Sequence, residues 1–324
     1  MITNTSVTVA ETSVPMQPQA PYFREAGSGT SVVCIHSSAS SSGQWRALME
    51  RLADRFRVIA VDLYGSGKTA AWPQDQPMYL DDELALLSSV FRAAGDRFHL
   101  IGHSLGGAIA LKAALADRDR LLSLVLYEPV LFSVLMADAP ESAAAREILA
   151  VRDDTIRLVD AGNLNASAQR FVDYWVGDGT WAATPEPRRP VLAAAMRAVK
   201  SEWHAAFYEP TPLRAFAAVT VPTLFLTGTK SKASALAVAR LVTSVLPRVR
   251  IEEIEGAGHM APVTHPDTVN PLIERFPEAT QPLLAGDAPK EAAHLKRNGR
   301  QPSVEAPFLA QGDLVANVTA RDLL

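Results

Sequence analysis

Along most of this chain, short apolar runs alternate with stretches of helical periodicity, and this alternation constrains the fold more than any other feature. The runs Ser31–Ile35, Val58–Val61, Phe98–Ile101 and Ser123–Leu126 are each bounded by turn or polar residues. Strands buried on both faces of a parallel sheet have this character. Between them lie Gln44–Arg55, Leu80–Ala94 and Leu105–Ala116, whose apolar positions recur at helical spacing. The pattern predicts a doubly wound α/β sheet, mostly parallel.

The alternation stops between about Pro129 and Arg214, where the chain offers helical segments at Ala143–Val151, Ala166–Val176 and Val191–Phe207 and no convincing strand. We read residues 129–214 as a helical cap inserted over the sheet. Strand and helix then resume at Thr223–Thr227, Ala233–Leu246, Val249–Ile254 and Pro266–Phe276. The core is therefore expected in two pieces, 22–128 and 215–276. Residues 1–21 read as a loose arm, and the proline-punctuated stretch 277–324 as a mostly flexible extension. Its final segment, GDLVANVTARDLL, is either a docking element or an inert tail.

Composition narrows the function. With 324 residues, 48% hydrophobic, there is ample material for a core. The 31 Lys and Arg against 35 Asp and Glu leave a formal charge of −4 and no basic block to follow a phosphate backbone, so nucleic acid is not an expected partner. The lone Cys34 cannot form an internal disulfide, and neither a signal-peptide pattern nor an apolar run of membrane-spanning length is found. The expectation is a cytoplasmic protein acting on a small molecule, with no membrane partner. No metal site is expected, since no His-Glu-x-x-His or paired-Cys spacing occurs.

The most specific motif is Gly102-His103-Ser104-Leu105-Gly106, followed by Gly107, set between an apolar run and a small-residue helix. A serine hydroxyl is a weak nucleophile without an adjacent base, and a sharp strand-to-helix turn lifts it toward one. Side chains at Gly102 or Gly106 would collide with neighbouring backbone. Gly256-Ala257-Gly258-His259-Met260 follows the last strand and offers His259 as general base in preference to His36, His99, His103, His204, His265 and His294. An oxyanion needs two convergent N–H donors. One is Leu105, at the helix N-terminus, and the other falls in the serine-rich loop after the first strand, at Ser38 or alternatively Ser37.

These residues resemble the α/β-hydrolase family over about residues 22–276, through the loop at His36, Asp62-Leu63-Tyr64-Gly65-Ser66-Gly67, the Ser104 motif and Gly258-His259. Two departures stand out. Most members have glycine where this chain has Ser37. The family's usual acid lies three residues after the glycine ending the penultimate strand, but Gly228-Thr229-Lys230-Ser231 puts serine there, and no Asp or Glu occurs between Glu209 and Glu252. Some members carry the acid one strand earlier, which corresponds here to the end of Leu122–Tyr127, at Glu128. Glu128 is thus either the orienting acid of the triad or a carboxylate capping a turn before Pro129.

Gly65-Ser66-Gly67-Lys68-Thr69 imitates a P-loop, but its first glycine would fall on Asp62, so Asp62 reads as structural. Phe171, Tyr174, Trp175, Trp181, Trp203 and Phe207 either line an apolar pocket beneath the cap or form the cap's own core. The resemblance implies a cofactor-independent serine hydrolase of small esters, lactones or related acyl compounds, with Ser104, His259 and Glu128 as its triad. A carbon–carbon bond hydrolase on the same fold and a binding protein with a retained hydrolase pocket are the alternatives. Epoxide and haloalkane chemistry fits less well, because the members performing it use an aspartate nucleophile.

Overall fold

The computed structural model describes residues 20–280. Among the described residues seven strands are formed: β1 Phe23–Ala26, β2 Ser31–Ile35, β3 Arg57–Val61, β4 Phe98–His103, β5 Leu121–Tyr127, β6 Thr223–Gly228 and β7 Val249–Ile254. They make one sheet in the order β1-β3-β2-β4-β5-β6-β7. Only β1 runs antiparallel, against β3; every other pairing is parallel. The mostly parallel, helix-flanked sheet expected from the alternation is present, and with it the α/β-hydrolase fold that the resemblance implies. Strand β1 was not foreseen, because Phe-Arg-Glu-Ala is a largely exposed edge without apolar patterning.

Side chains on a strand alternate between faces, so each apolar run feeds two cores. Val32, Cys34, Val58, Ala60, Ile101, Val125 and Leu224 pack on one face with Trp45, Leu48 and Leu52, the last two from α1 (Arg46–Leu52), and with Val269 and Ile273 of the terminal helix. Val33, Ile35, Ile59, Val61, Leu100, Leu124 and Phe225 pack on the other, against α2 (Leu80–Ala93) and α3 (Leu105–Ala116). Double burial is why these strands read as unbroken apolar runs.

Between β5 and β6 the chain forms helices and no strand: α4 (Phe132–Asp138), α5 (Ala143–Asp160), α6 (Leu164–Trp175), the single turn α7 (Thr180–Ala183) and α8 (Arg189–Phe207). The insertion α5–α8 lies over the strand ends that carry the site. Its seam with the core is aromatic: the fully buried Phe132 stacks near Trp175 and lies 6.2 Å from Trp203 and 5.1 Å from Phe207, centroid to centroid. Helix α9 (Ala233–Val245) follows β6, and α10 (Ala261–Thr264) and α11 (Pro266–Thr280) end the described chain.

Helix α11 runs four residues past the expected boundary at 276, through Pro277. Val269, Ile273 and Pro277 recur every fourth residue on its buried face, and Glu274 and Glu278 pair with Arg51 and Arg55 of the α1 region. Burial of that stripe outweighs the hydrogen bonds its prolines cannot make. The expected arm, apart from its last two residues, and the extension from 281 onward, with its candidate docking element, lie outside the described residues. No helix among the described residues is long and apolar enough to cross a membrane.

Because Phe132 anchors the cap to the core, Phe132→Ala is expected to cost about 3–5 kcal/mol of unfolding free energy, measured by urea denaturation. A loss below about 1 kcal/mol would show that the cap is held without this contact.

Candidate active site

Ser104 sits between β4 and α3 with φ 57° and ψ −118°, a backbone conformation that non-glycine residues rarely hold. The turn closes only because its neighbours are glycines. A Cβ on Gly102 would lie 2.2 Å from the Gly106 carbonyl oxygen, and one on Gly106 would lie 2.4 Å from the carbonyl oxygens of Ile35 and His36. Strain and close packing present the Ser104 hydroxyl at the carboxyl edge of the sheet.

His259 receives it. The Ser104 hydroxyl donates to His259 Nε2 at 2.9 Å, and His259 Nδ1–H donates to Glu128 Oε2 at 2.8 Å. All three side chains are buried. The loop carrying His259 is pinned at its carbonyls: Tyr127 Oη–H donates to Gly258 at 2.8 Å, His103 Nε2–H to His259 at 2.8 Å and Lys230 N–H to Ala257 at 2.8 Å. Burial, reinforced by the adjacent His259, holds His103 well below the ordinary imidazole value, so it serves as a neutral donor.

Glu128 follows β5 directly, at φ 42°, another strained position. Its Oε1 accepts from Gly228 N–H at 2.8 Å and from the Ser231 hydroxyl. The serine at the family's usual acid position thus supports a carboxylate arriving from the neighbouring strand. Gly228 also lets the loop that carries His259 come close, since a Cβ there would meet the Ala257 carbonyl oxygen at 2.2 Å. Neither contact was legible from the sequence, because each depends on how the ends of β5 and β6 meet.

The loop after β2 separates the two candidate donors. Ser37 N–H and Oγ–H both donate to Gln44 Oε1, at 3.1 and 3.0 Å, whereas the amides of Ser38 and Leu105 have no acceptor among the described residues. His36 is structural, its Nδ1–H donating to the Ser37 carbonyl at 2.7 Å while Nε2 accepts from Leu63 N–H at 3.1 Å. Asp62 accepts from Ser42 N–H at 2.6 Å and Lys68 N–H at 2.9 Å, and a Cβ on Gly67 would strike its carboxylate, so this turn closes on Asp62 rather than on a phosphate.

A cleft with two lobes opens beside Ser104. One is lined by Ser38, Ala39, Trp175, Leu192, His259 and Met260. The other, smaller lobe runs past Leu105 and Val130 to Glu202 and Trp203 beneath α8. The cap aromatics divide: Phe171 and Trp175 line both lobes and Trp203 the smaller, while Tyr174 bonds Ser234 at 2.9 Å and Phe207 packs under Arg152. Trp175 lies against the His259 ring, with centroids 4.1 Å apart.

Sequence reading missed Glu202, a fully buried carboxyl on an otherwise amphipathic helix. Burial pushes its pKa to about 7, although the Ser38 side chain favours the ionised form. Burial and the proximity of Glu202 also hold Glu83, on α2, well above the usual carboxylate range, despite a hydrogen bond from Tyr64 N–H. Among the described residues no cluster of His, Cys, Asp and Glu is arranged to hold a metal ion.

The chain belongs to the alpha/beta hydrolase family, which it matches over residues 32–272. It is 28% identical over 250 residues to a 2-hydroxy-6-oxo-6-(2'-aminophenyl)hexa-2,4-dienoic acid hydrolase of Metapseudomonas resinovorans, covering 76% of this chain and 83% of that one. It is 25% identical over 255 residues to the N-formylmaleamate deformylase of Pseudomonas putida, covering 74% and 86%. Among solved structures, a thermophilic esterase from Thermogutta terrifontis superposes with a TM-score of 0.63 at 24% identity, covering 80% of this chain and 93% of that chain, and shares the fold.

The folded-state pKa of Glu202, about 7, lies above its ordinary 4.5. The folded chain therefore holds this proton more tightly than the unfolded chain, and the residue's contribution grows less favourable as pH rises through that interval. Glu202→Gln is thus expected to match the wild type in unfolding free energy near about pH 4, below the unfolded-state pKa, and to exceed it by roughly 3 kcal/mol near about pH 8. Urea titrations at both pH values check this; a difference independent of pH would refute it.

Proposed function

We propose that the protein is a cofactor-independent serine hydrolase of small carboxylic esters, lactones or related acyl compounds. The observation that carries the reading is the hydrogen-bonded chain Ser104–His259–Glu128, buried at the floor of a largely apolar cleft. In this mechanism His259 Nε2 takes the Ser104 proton as Oγ attacks the carbonyl carbon. The resulting oxyanion is held by the unpaired amides of Leu105 and Ser38, at the positive end of α3. His259 returns the proton to the leaving alcohol, then activates water against the acyl-enzyme. Glu128 keeps the Nδ1 tautomer and stabilises the imidazolium.

The relatives that act on a hexadienoic acid and on N-formylmaleamate raise a second reading, cleavage of a carbon–carbon or amide bond by the same three residues. The lining of the cleft favours esters. Neither lobe has a Lys or Arg among its lining residues, and the smaller one presents Glu202, a poor environment for an anionic substrate.

Labelling by a fluorophosphonate probe and hydrolysis of short p-nitrophenyl esters are expected for the wild type and absent in Ser104→Ala. Labelling that persists in Ser104→Ala would overturn the assignment. Glu128→Gln is expected to lower kcat by about 10⁴. Adding Ser231→Asp, which restores a carboxylate at the other strand end, is expected to recover at least about tenfold, because Ser231 already reaches the same oxygen cluster. Near-normal turnover in the single variant would show that another group orients His259.

A further inference from the structure

Glu202 has no place in that mechanism, yet its position is hard to explain as structure alone. It is 2% exposed, lies on α8 of the cap and borders the smaller lobe together with Ser38, Ser104 and Leu105. Neither carboxyl oxygen makes a hydrogen bond of ordinary geometry to the described residues, although the Ser38 hydroxyl and the Glu83 carboxyl are near enough to be felt. A buried carboxyl so weakly partnered is costly, and replacing it by a neutral group of similar shape normally stabilises a protein. Both oxygens are closed to solvent, and a ligand donor seated in the lobe that Glu202 lines would complete their hydrogen bonding.

The two lobes differ in the chemistry they can serve. His259 returns its proton to the leaving group, so the leaving alcohol occupies the lobe that His259 and Met260 line. The acyl group then extends past the Leu105 and Ser38 amides into the other lobe, between Val130 and Trp203, and meets Glu202. That lobe is small, which restricts the acyl chain, and its walls are otherwise mostly apolar. Within it the carboxyl is the one acidic group, and an apolar acyl chain would leave its oxygens unsatisfied.

We propose that Glu202 is a specificity-determining residue that accepts a hydrogen bond from a hydroxyl or N–H on the acyl part of the substrate, so that the preferred substrates are short hydroxy- or amino-acyl compounds rather than plain fatty acyl ones. The inference rests on the serine-hydrolase reading for the assignment of the lobes. Discrimination arises because a substrate lacking the donor leaves a desolvated carboxyl unpaired, the asymmetry that lets a polar site reject an apolar analogue strongly. Glu202 takes no part in bond making or breaking.

The test compares ethyl butyrate with ethyl 2-hydroxybutyrate and ethyl 3-hydroxybutyrate, following the acid released. The wild type is expected to prefer at least one hydroxy ester over butyrate by about tenfold or more in kcat/KM. Glu202→Leu abolishes that preference by slowing the hydroxy ester and not butyrate, whereas Glu202→Gln, which keeps an acceptor, retains part of it. Both variants are expected to keep or raise the wild-type Tm. An equal wild-type rate on all three esters, an unchanged ratio in Glu202→Leu, or a parallel loss on every ester with a fall in Tm would overturn the proposal, the last by marking a structural role. Binding of butyramide and the two hydroxybutyramides to Ser104→Ala, by calorimetry, separates this inference from the reading beneath it. If no ester is cleaved, the esterase reading fails. Tighter binding of a hydroxy amide, lost in Ser104→Ala/Glu202→Leu, still supports the role of Glu202, and equal or absent binding overturns it.

Discussion

The Glu128 carboxylate is where the separate parts of this molecule converge. It is fully buried and takes three donors, the Gly228 amide, the Ser231 hydroxyl and His259 Nδ1–H, from the end of β6, the turn after it and the loop after β7. A buried carboxylate without such donors would be expensive, so each contact both satisfies it and fixes the segment that supplies the donor. The strained backbone of Glu128 itself, at φ 42°, is held by the bond from its own amide to Leu226. The position of His259 over Ser104 therefore follows from how three neighbouring strands end.

The cap completes the environment. Trp175 covers the His259 ring, and Phe171, Trp203 and Phe132 fill the seam with apolar rings, a low-dielectric surrounding that strengthens the charges and dipoles below it. Glu202 is the exception, a costly buried group in an otherwise economical lining, and an energetic cost of this kind is tolerated where function uses it.

Much of the sheet was legible because buried parallel strands leave an unambiguous mark. Val32 and Val33 both face a core, so the run shows no alternation with polar residues. Strand β1 left no such mark, since its side chains are mostly exposed and its pairing with β3 is a matter of backbone alone. The prolines of α11 suggested an earlier end because local propensity argues against them, while the buried stripe through Pro277 is a tertiary effect. Of the cap helices α5, α6 and α8 were legible, the short α4 and α7 were not, and α5 was read nine residues short, its second half carrying Asp153, Asp154 and Asp160 on the more exposed positions.

At the site the same division holds. The sequence by itself determined the tight turn at Ser104, because its glycine spacing is a local steric requirement, and it determined that the acid could not come from the usual loop, because no carboxylate is there. Only the tertiary structure decided that Glu128 reaches His259, that Ser231 supports rather than replaces it, that Gln44 occupies the Ser37 amide while the Ser38 amide stays without an acceptor among the described residues, and that Glu202 lines the cleft. The physical reason is range. Turn geometry is set by the residues within it, whereas the pairing of buried polar groups depends on which strand ends and cap helices the fold brings within 3 Å of one another.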